Sequence, residues 1–297
     1  MAEHERIFGS VLVGVDGLQG GRDAIALARL LCDPQGELLL VHVRALPDHA
    51  GERSAEAEQG DDGQPLADAL ALLERERATS GVQAQLRAVP ASSPGRGLHE
   101  LAGAESADLI VVGSSHRGFL GRVLMGNATR EALTGSPCAV AVAPRGYAES
   151  KHRPTAVGVG YDGSPESRQA LTLGRALAER MGVDLKVLQV VPVAGPAYAG
   201  FGGVAWGEAL EEIRADVQKD LEQAVGPVGE ARAMLGIAGE ALAELGEEVG
   251  LVVVGSRGYG PLRTLLLGST ARYLARHARS PLLVLPRGSE EHAGAVD

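Results

Sequence analysis

Apolar residues in this chain follow two alternating patterns. Short apolar runs cover Ile7 to Val15, which is rich in β-branched residues, Glu37 to Val43, Leu109 to Gly113 and Cys138 to Ala143, and Val82 to Val89 reads as a further strand. Runs of this length predict strands buried on both faces. Between them, apolar residues recur every three or four positions and predict helices. These cover Gly20 to Leu31 (Ala24, Leu27, Ala28, Leu31), Pro65 to Thr79 (Leu66, Leu70, Leu73), Leu98 to Ser106 and Gly121 to Leu133. The second half follows the same order and ends with Leu251 to Gly255, Leu262 to His277 and Leu282 to Leu285. Buried strands joined by helices imply parallel sheets covered on both faces. The predicted class is α/β, with two tandem open five-stranded parallel sheets.

The two halves are copies. Val13-Gly14-Val15-Asp16-Gly17 recurs as Val159-Gly160-Tyr161-Asp162-Gly163, an offset of 146 residues. Val112-Gly113-Ser114 recurs as Val254-Gly255-Ser256, Gly126 as Gly268, and Pro144-Arg145-Gly146 as Pro286-Arg287-Gly288, all at an offset of 142. Such self-similarity predicts two homologous domains. Their bounds are residues 1–150 and 151–297, with the polar stretch from Ser150 to Arg153 at the join. Pro47 to Gln64, which is acidic, reads as a surface insertion after the second strand. Its counterpart, Ala194 to Gly207, carries Tyr198, Phe201 and Trp206 and reads as a lid, a docking loop or another insertion.

Composition narrows the choices. The chain has 297 residues, 45% of them hydrophobic and 22% charged, with 28 Lys+Arg against 38 Asp+Glu. A net charge of −10 disfavours nucleic acid and anionic lipid as partners. Aromatic residues make up only 3%, too few for a base-stacking platform. No apolar run approaches the ~18 residues needed to span a bilayer, and Met1 to Arg6 carries charge rather than a leader's apolar core. The two cysteines, Cys32 and Cys138, form no CxxC and no zinc pattern. A reduced, cytoplasmic protein is expected.

The segment richest in chemistry is Gly255-Ser256-Arg257-Gly258, followed after nine residues by Gly268-Ser269-Thr270. It leaves a buried strand at the carboxyl edge, where ligands of open α/β sheets sit. Gly255 and Gly258 would let main chain approach a ligand without a Cβ in the way. Gly268 opens a helical stretch whose first amides favour an anion. Ser269 and Thr270 add hydroxyl donors, and the whole reads as a phosphate cradle. Asp16 and Asp162 follow the first strand of each half, where an acid either caps the next helix or meets a ligand. Gly158 to Gly163 satisfies GxGxxG, but Gly158 falls inside a strand, and Gln189-Val190-Val191 supplies no ribose-binding acid. No GxxxxGK[ST], GxSxG or HExxH occurs. His42 reads as a packed or hydrogen-bonded strand residue, His277 as a helix-end cation, and His116 as a candidate functional residue.

Gly255-x2-Gly258-x9-Gly268-Ser269 resembles the nucleotide-binding signature of the ATP-binding universal stress proteins, whose fold is of the adenine nucleotide alpha hydrolase-like type. The resemblance covers nearly the whole chain as two copies, including Leu40 to Val43 and the closing run from Pro281 to Pro286. It implies that Asp162 meets the adenosine near its ribose and that the main chain of Val190 bonds the adenine edge. Val254 and Gly255 would flank ribose and adenine, and Arg257, Gly258, Gly268, Ser269 and Thr270 would surround the phosphates. The matching first-half residues are Asp16, Val43, Val112, Gly113, Ser115, His116, Gly126, Asn127 and Ala128. There the signature is broken, with His116 in place of Gly258 and Asn127 in place of Ser269, so weaker or absent binding is expected.

The resemblance implies an adenine-nucleotide-binding regulator of the stress response, with ATP or another adenine nucleotide as cofactor and Mg2+ as its optional companion. It also implies pairing through the last strands, between domains or in a homodimer, and an unknown regulatory protein partner. A slow ATP hydrolase acting as a timer and a nucleotide-free docking scaffold are the alternatives. No catalytic residue and no metal ligand is assigned.

Overall fold

The computed structural model describes residues 6–46, 63–114, 122–123, 126–150, 154–193, 203–256 and 267–286. The chain divides into two compact units. Described residues up to 150 form the first and those from 154 form the second.

The first unit alternates β1 (Ser10–Gly14), α1 (Gln19–Leu31), β2 (Glu37–Ala45), α2 (Gly63–Ser80), β3 (Gln85–Ala91), α3 (Pro94–Ala104), β4 (Leu109–Gly113), α4 (Asn127–Leu133) and β5 (Ala139–Ala143). Its strands lie in the order β3-β2-β1-β4-β5, all parallel. The second unit repeats this with β6 (Ala156–Tyr161), α5 (Pro165–Met181), β7 (Asp184–Pro192), α6 (Gly203–Val225), β8 (Gly229–Gly236), α7 (Ala238–Glu248), β9 (Leu251–Gly255), α8 (Ser269–His277) and β10 (Leu282–Leu285). Its order is β8-β7-β6-β9-β10, again parallel.

The core sits where the sequence pattern predicts it. Val11, Leu12 and Val13 of β1, Leu109, Ile110 and Val111 of β4, and Leu251, Val252 and Val253 of β9 are fully buried. Helix ends obey local chemistry. Ser164 caps α5, its hydroxyl accepting the Ser167 amide at 3.2 Å with Pro165 in the first turn, and the helix stops at left-handed Gly182.

Several predicted boundaries move. The helix expected from Leu98 starts at Pro94, because Ser93 caps it and accepts the Arg96 amide. The helices expected from Gly121 and Leu262 start at Asn127 and Ser269 among the described residues. Val123 mimics helical spacing because it is fully buried, yet it lies outside any helix. Trp206, expected in a loop, falls in α6, whose apolar spacing through Leu210, Ile213, Val217 and Leu221 extends back to Gly203. Residues 194–202 of that loop, and 47–62 of its acidic counterpart, lie outside the described residues. Among the described residues, no helix is long and apolar enough to cross a membrane.

Candidate functional site

In each unit the strand order reverses between the first and fourth strands, β1 and β4 in one and β6 and β9 in the other. Chains leaving two such neighbours depart in opposite directions and open a crevice at the carboxyl edge. Asp162 and the Gly255-Ser256 pair stand at that edge in the second unit. Asp16 and Gly113-Ser114 stand there in the first.

The two acids brace the turns they start. Asp16 Oδ1 accepts the Leu18 amide at 2.9 Å, and Asp162 Oδ1 accepts both the amide and the hydroxyl of Ser164. The next residue, Gly17 or Gly163, sits at φ +74° or +77°, a conformation that L side chains rarely adopt. Both carboxylates are exposed. Bracing the turn therefore leaves each acid at the mouth of the crevice.

Gly255 has a different role from the one its sequence position suggests. A Cβ there would lie 2.8 Å from the backbone of Glu166. At Gly113 it would lie 2.0 Å from the carbonyl oxygen of Gly20. The missing side chain lets the first turn of α5 or α1 press against the strand end, so that space belongs to the helix rather than to a ligand. Val112 and Val254 are buried, and their Cγ1 atoms pack beneath Gly14 and Gly160. They could offer a ligand only main chain. Val43 and Val190 lie in the carboxyl-terminal parts of β2 and β7 and are half-buried.

Helix α8 begins at Gly268, an extended N-cap that carries no side-chain cap, and its first internal bond runs from the Arg272 amide to the Gly268 carbonyl. The amides of Ser269, Thr270 and Ala271 precede that bond. Helix α4 starts in the same way at Gly126, with Asn127 and Ala128 exposed in its first turn. Asn127 Oδ1 accepts from Arg130 at 3.4 Å. Arg257, Gly258, Ser115 and His116 lie outside the described residues.

The comparisons decide the family. The model for the universal stress protein family matches residues 8–144 and again 155–286. The chain belongs to the universal stress protein family. A universal stress protein of Mycolicibacterium smegmatis is 33% identical over 193 residues, which is 61% of this chain and 62% of that protein. The chain thus spans about three-fifths of that relative's length. A putative universal stress protein from Pseudomonas aeruginosa shares the fold at a TM-score of 0.65 and 17% identity, over 95% of this chain and 94% of that one. One from Archaeoglobus fulgidus does so at 0.64 and 18%, over 94% and 99%.

Within this universal stress protein the two edges differ in ways that the signature alone does not reveal. In the first unit the Thr129 hydroxyl donates to the Gly113 carbonyl at 3.0 Å, and the Ser114 hydroxyl to the Arg122 carbonyl at 3.2 Å. Their counterparts at offset 142 are Ala271, which has no hydroxyl, and Ser256. Ser256 is 1% exposed, and its Oγ has no hydrogen-bond partner. Sequence reading passed over Ser256, although its place in the repeated Val-Gly-Ser was a usable signal.

The rejected readings also find their reasons. Gly158 and Gly160 lie within β6, where a Cβ would meet Leu245 or Leu242 of α7, so that GxGxxG match reflects helix packing. His42 Nδ1 lies 2.8 Å from the Val15 carbonyl, which can only accept, so that nitrogen carries the proton. His277 sits in the last turn of α8, with Nδ1 2.9 Å from the Tyr273 carbonyl and its ring stacked on Tyr273.

Proposed function

We propose that this chain is a stress-response regulator that binds ATP or a related adenine nucleotide at the carboxyl edge of its second unit, by binding rather than turnover. The observation that carries the reading is the uncapped start of α8, with Gly268, Ser269 and Thr270 on the same carboxyl edge as Asp162. Open first-turn amides and the helix dipole suit phosphate oxygens. An exposed carboxylate suits ribose hydroxyls, and the main chain of Val190 offers an adenine edge one donor and one acceptor. Among the described residues no three His, Cys, Asp or Glu side chains cluster for a metal. Mg2+ is the nucleotide's optional companion in this reading.

The first unit is the weaker binder in this reading. Thr129 ties the start of α4 to the Gly113 carbonyl, and His116 and Asn127 break the signature. Filling the second site would change how the chain assembles with a second copy or with a regulatory partner.

Calorimetric titration of the full chain with Mg-ATP tests the reading, beside Gly268→Glu and Asp162→Ala. One site per chain is expected. Gly268→Glu should abolish binding, since its carboxylate would take the first-turn amides and repel phosphate. Two equal sites, or unimpaired binding by Gly268→Glu, would refute the assignment. Steady ADP release abolished by Asp162→Ala would show turnover instead.

A further inference from the structure

Among the described residues three buried side-chain atoms have no hydrogen-bond partner: Arg175 Nε, Ser256 Oγ and Ser280 Oγ. Ser280 precedes β10 and Arg175 lies within α5, both away from the carboxyl edge. Ser256 is the residue that leaves β9 at the crevice. Its amide continues the sheet pattern by donating to the Leu285 carbonyl at 2.9 Å, so its backbone is held as strand. Successive side chains on a strand point to opposite faces. The Cβ direction of Gly255 faces α5, whereas Val254 packs with Leu242 of α7 beneath Gly160. Ser256 shares the face of Val254, which is the face on which α7 packs against α8.

The first unit shows what such a serine does when the protein itself satisfies it. Ser114 reaches the Arg122 carbonyl, in the chain that leads to α4. In the second unit the equivalent hydroxyl is buried with nothing to bond. A buried hydroxyl left unpaired is costly, and proteins retain few of them. An open helix start and an unsatisfied hydroxyl on the same face are two independent features that suit one anionic group.

We infer that Ser256 Oγ is a phosphate contact, donating a hydrogen bond to a nucleotide phosphate oxygen that also meets the first turn of α8. This inference rests on the nucleotide reading above and adds to it the residue that separates phosphorylated from unphosphorylated ligands. Ser114 cannot serve in the same way, because its hydrogen is committed to Arg122.

The test uses the full chain as wild type, Ser256→Ala and Ser114→Ala, melted without ligand and titrated with Mg-ATP and with adenosine. Ser256→Ala should melt no lower than wild type, since it removes no internal bond, whereas Ser114→Ala should melt lower. Ser256→Ala should weaken ATP about ten- to a hundredfold, the range for a hydrogen bond to a charged group, and leave adenosine within about twofold. A drop in melting temperature for Ser256→Ala matching that of Ser114→Ala would mean that the hydroxyl has an internal partner, and would overturn the inference. So would unchanged ATP affinity, or an equal loss for adenosine, while wild type binds. A wild type that takes up neither ligand removes the nucleotide reading and this inference together.

Discussion

Asp23 offers the sharpest test of how the first unit is held together. It sits on α1 with no exposed surface. Its Oδ2 accepts the Gly146 amide at 2.8 Å, and its Oδ1 accepts the Ala148 amide at 2.8 Å and Gln19 Nε2 at 3.1 Å. It thereby fastens the single 3-10 turn Tyr147–Glu149 that follows β5. In Asp23→Ala these donors lose their acceptor. Ala148 is exposed, so water can replace one bond, while half-buried Gly146 keeps much of its penalty. One retained penalty plus the lost net bonds amounts to about 2 kcal/mol, or roughly 4–8 °C in the melting temperature of a unit this size.

The pH dependence has a definite sign. Burial pushes the Asp23 carboxyl above its ordinary value of 3.8, and the Ala148, Gly146 and Gln19 bonds offset only part of that. The folded unit therefore holds this proton more tightly than the unfolded chain. The contribution is full below the unfolded value and falls as pH rises through the window between the unfolded and folded values. Asp23→Asn should lack that fall. Tyr147 gives a local readout, because burial pushes its phenol up to about 12. In Asp23→Ala its absorbance titration should move down toward the ordinary 10. Urea and thermal unfolding across pH 3 to 8, together with the tyrosine titration, measure all three effects. Unchanged stability, pH slope and tyrosine titration in Asp23→Ala would refute the account of the turn.

Two further outcomes follow from the packing. Gly113→Ala places a methyl 2.0 Å from the Gly20 carbonyl, so α1 must shift or the strand end must open. Overpacking against backbone should cost at least 1–3 kcal/mol in urea unfolding, and a neutral result would mean that the helix start is not seated there. Cys138 is buried and its thiol is pushed up to about 12 by burial, whereas Cys32 is only half-buried. Native labelling at pH 8 should modify Cys32 first and reach Cys138 only as fast as the unit opens, and equal rates would contradict that burial.

The central strands were legible because they are buried on both faces and write themselves as unbroken apolar runs, whereas the outer strands β3 and β8 are mostly exposed or half-buried. Leu109 to Gly113 and Leu251 to Gly255 were read to the residue. Helix starts were harder to read. Val123 and Leu267 continue an apolar rhythm outside the described helices, and the bare N-caps at Gly126 and Gly268 mark where α4 and α8 begin. At the site, the sequence pointed to Asp162, Gly255, Gly268, Ser269 and Thr270 on one edge. It could not say which glycine serves packing, because that depends on where Glu166 or Gly20 lies in space. Nor could it distinguish Ser256 from Ser114, which share a motif and differ only in whether a carbonyl stands within reach.

The contact of Gly113 with Gly20, and of Gly255 with Glu166, also makes one wall of each crevice rigid. There the wall is peptide against peptide, with no side chain between that could switch rotamer. Such a joint cannot slide by small increments, so α1 and α5 move with their sheet or not at all. The fold thus gives each crevice one fixed jaw, and substitutions meant to tune the response without harming the scaffold belong away from it.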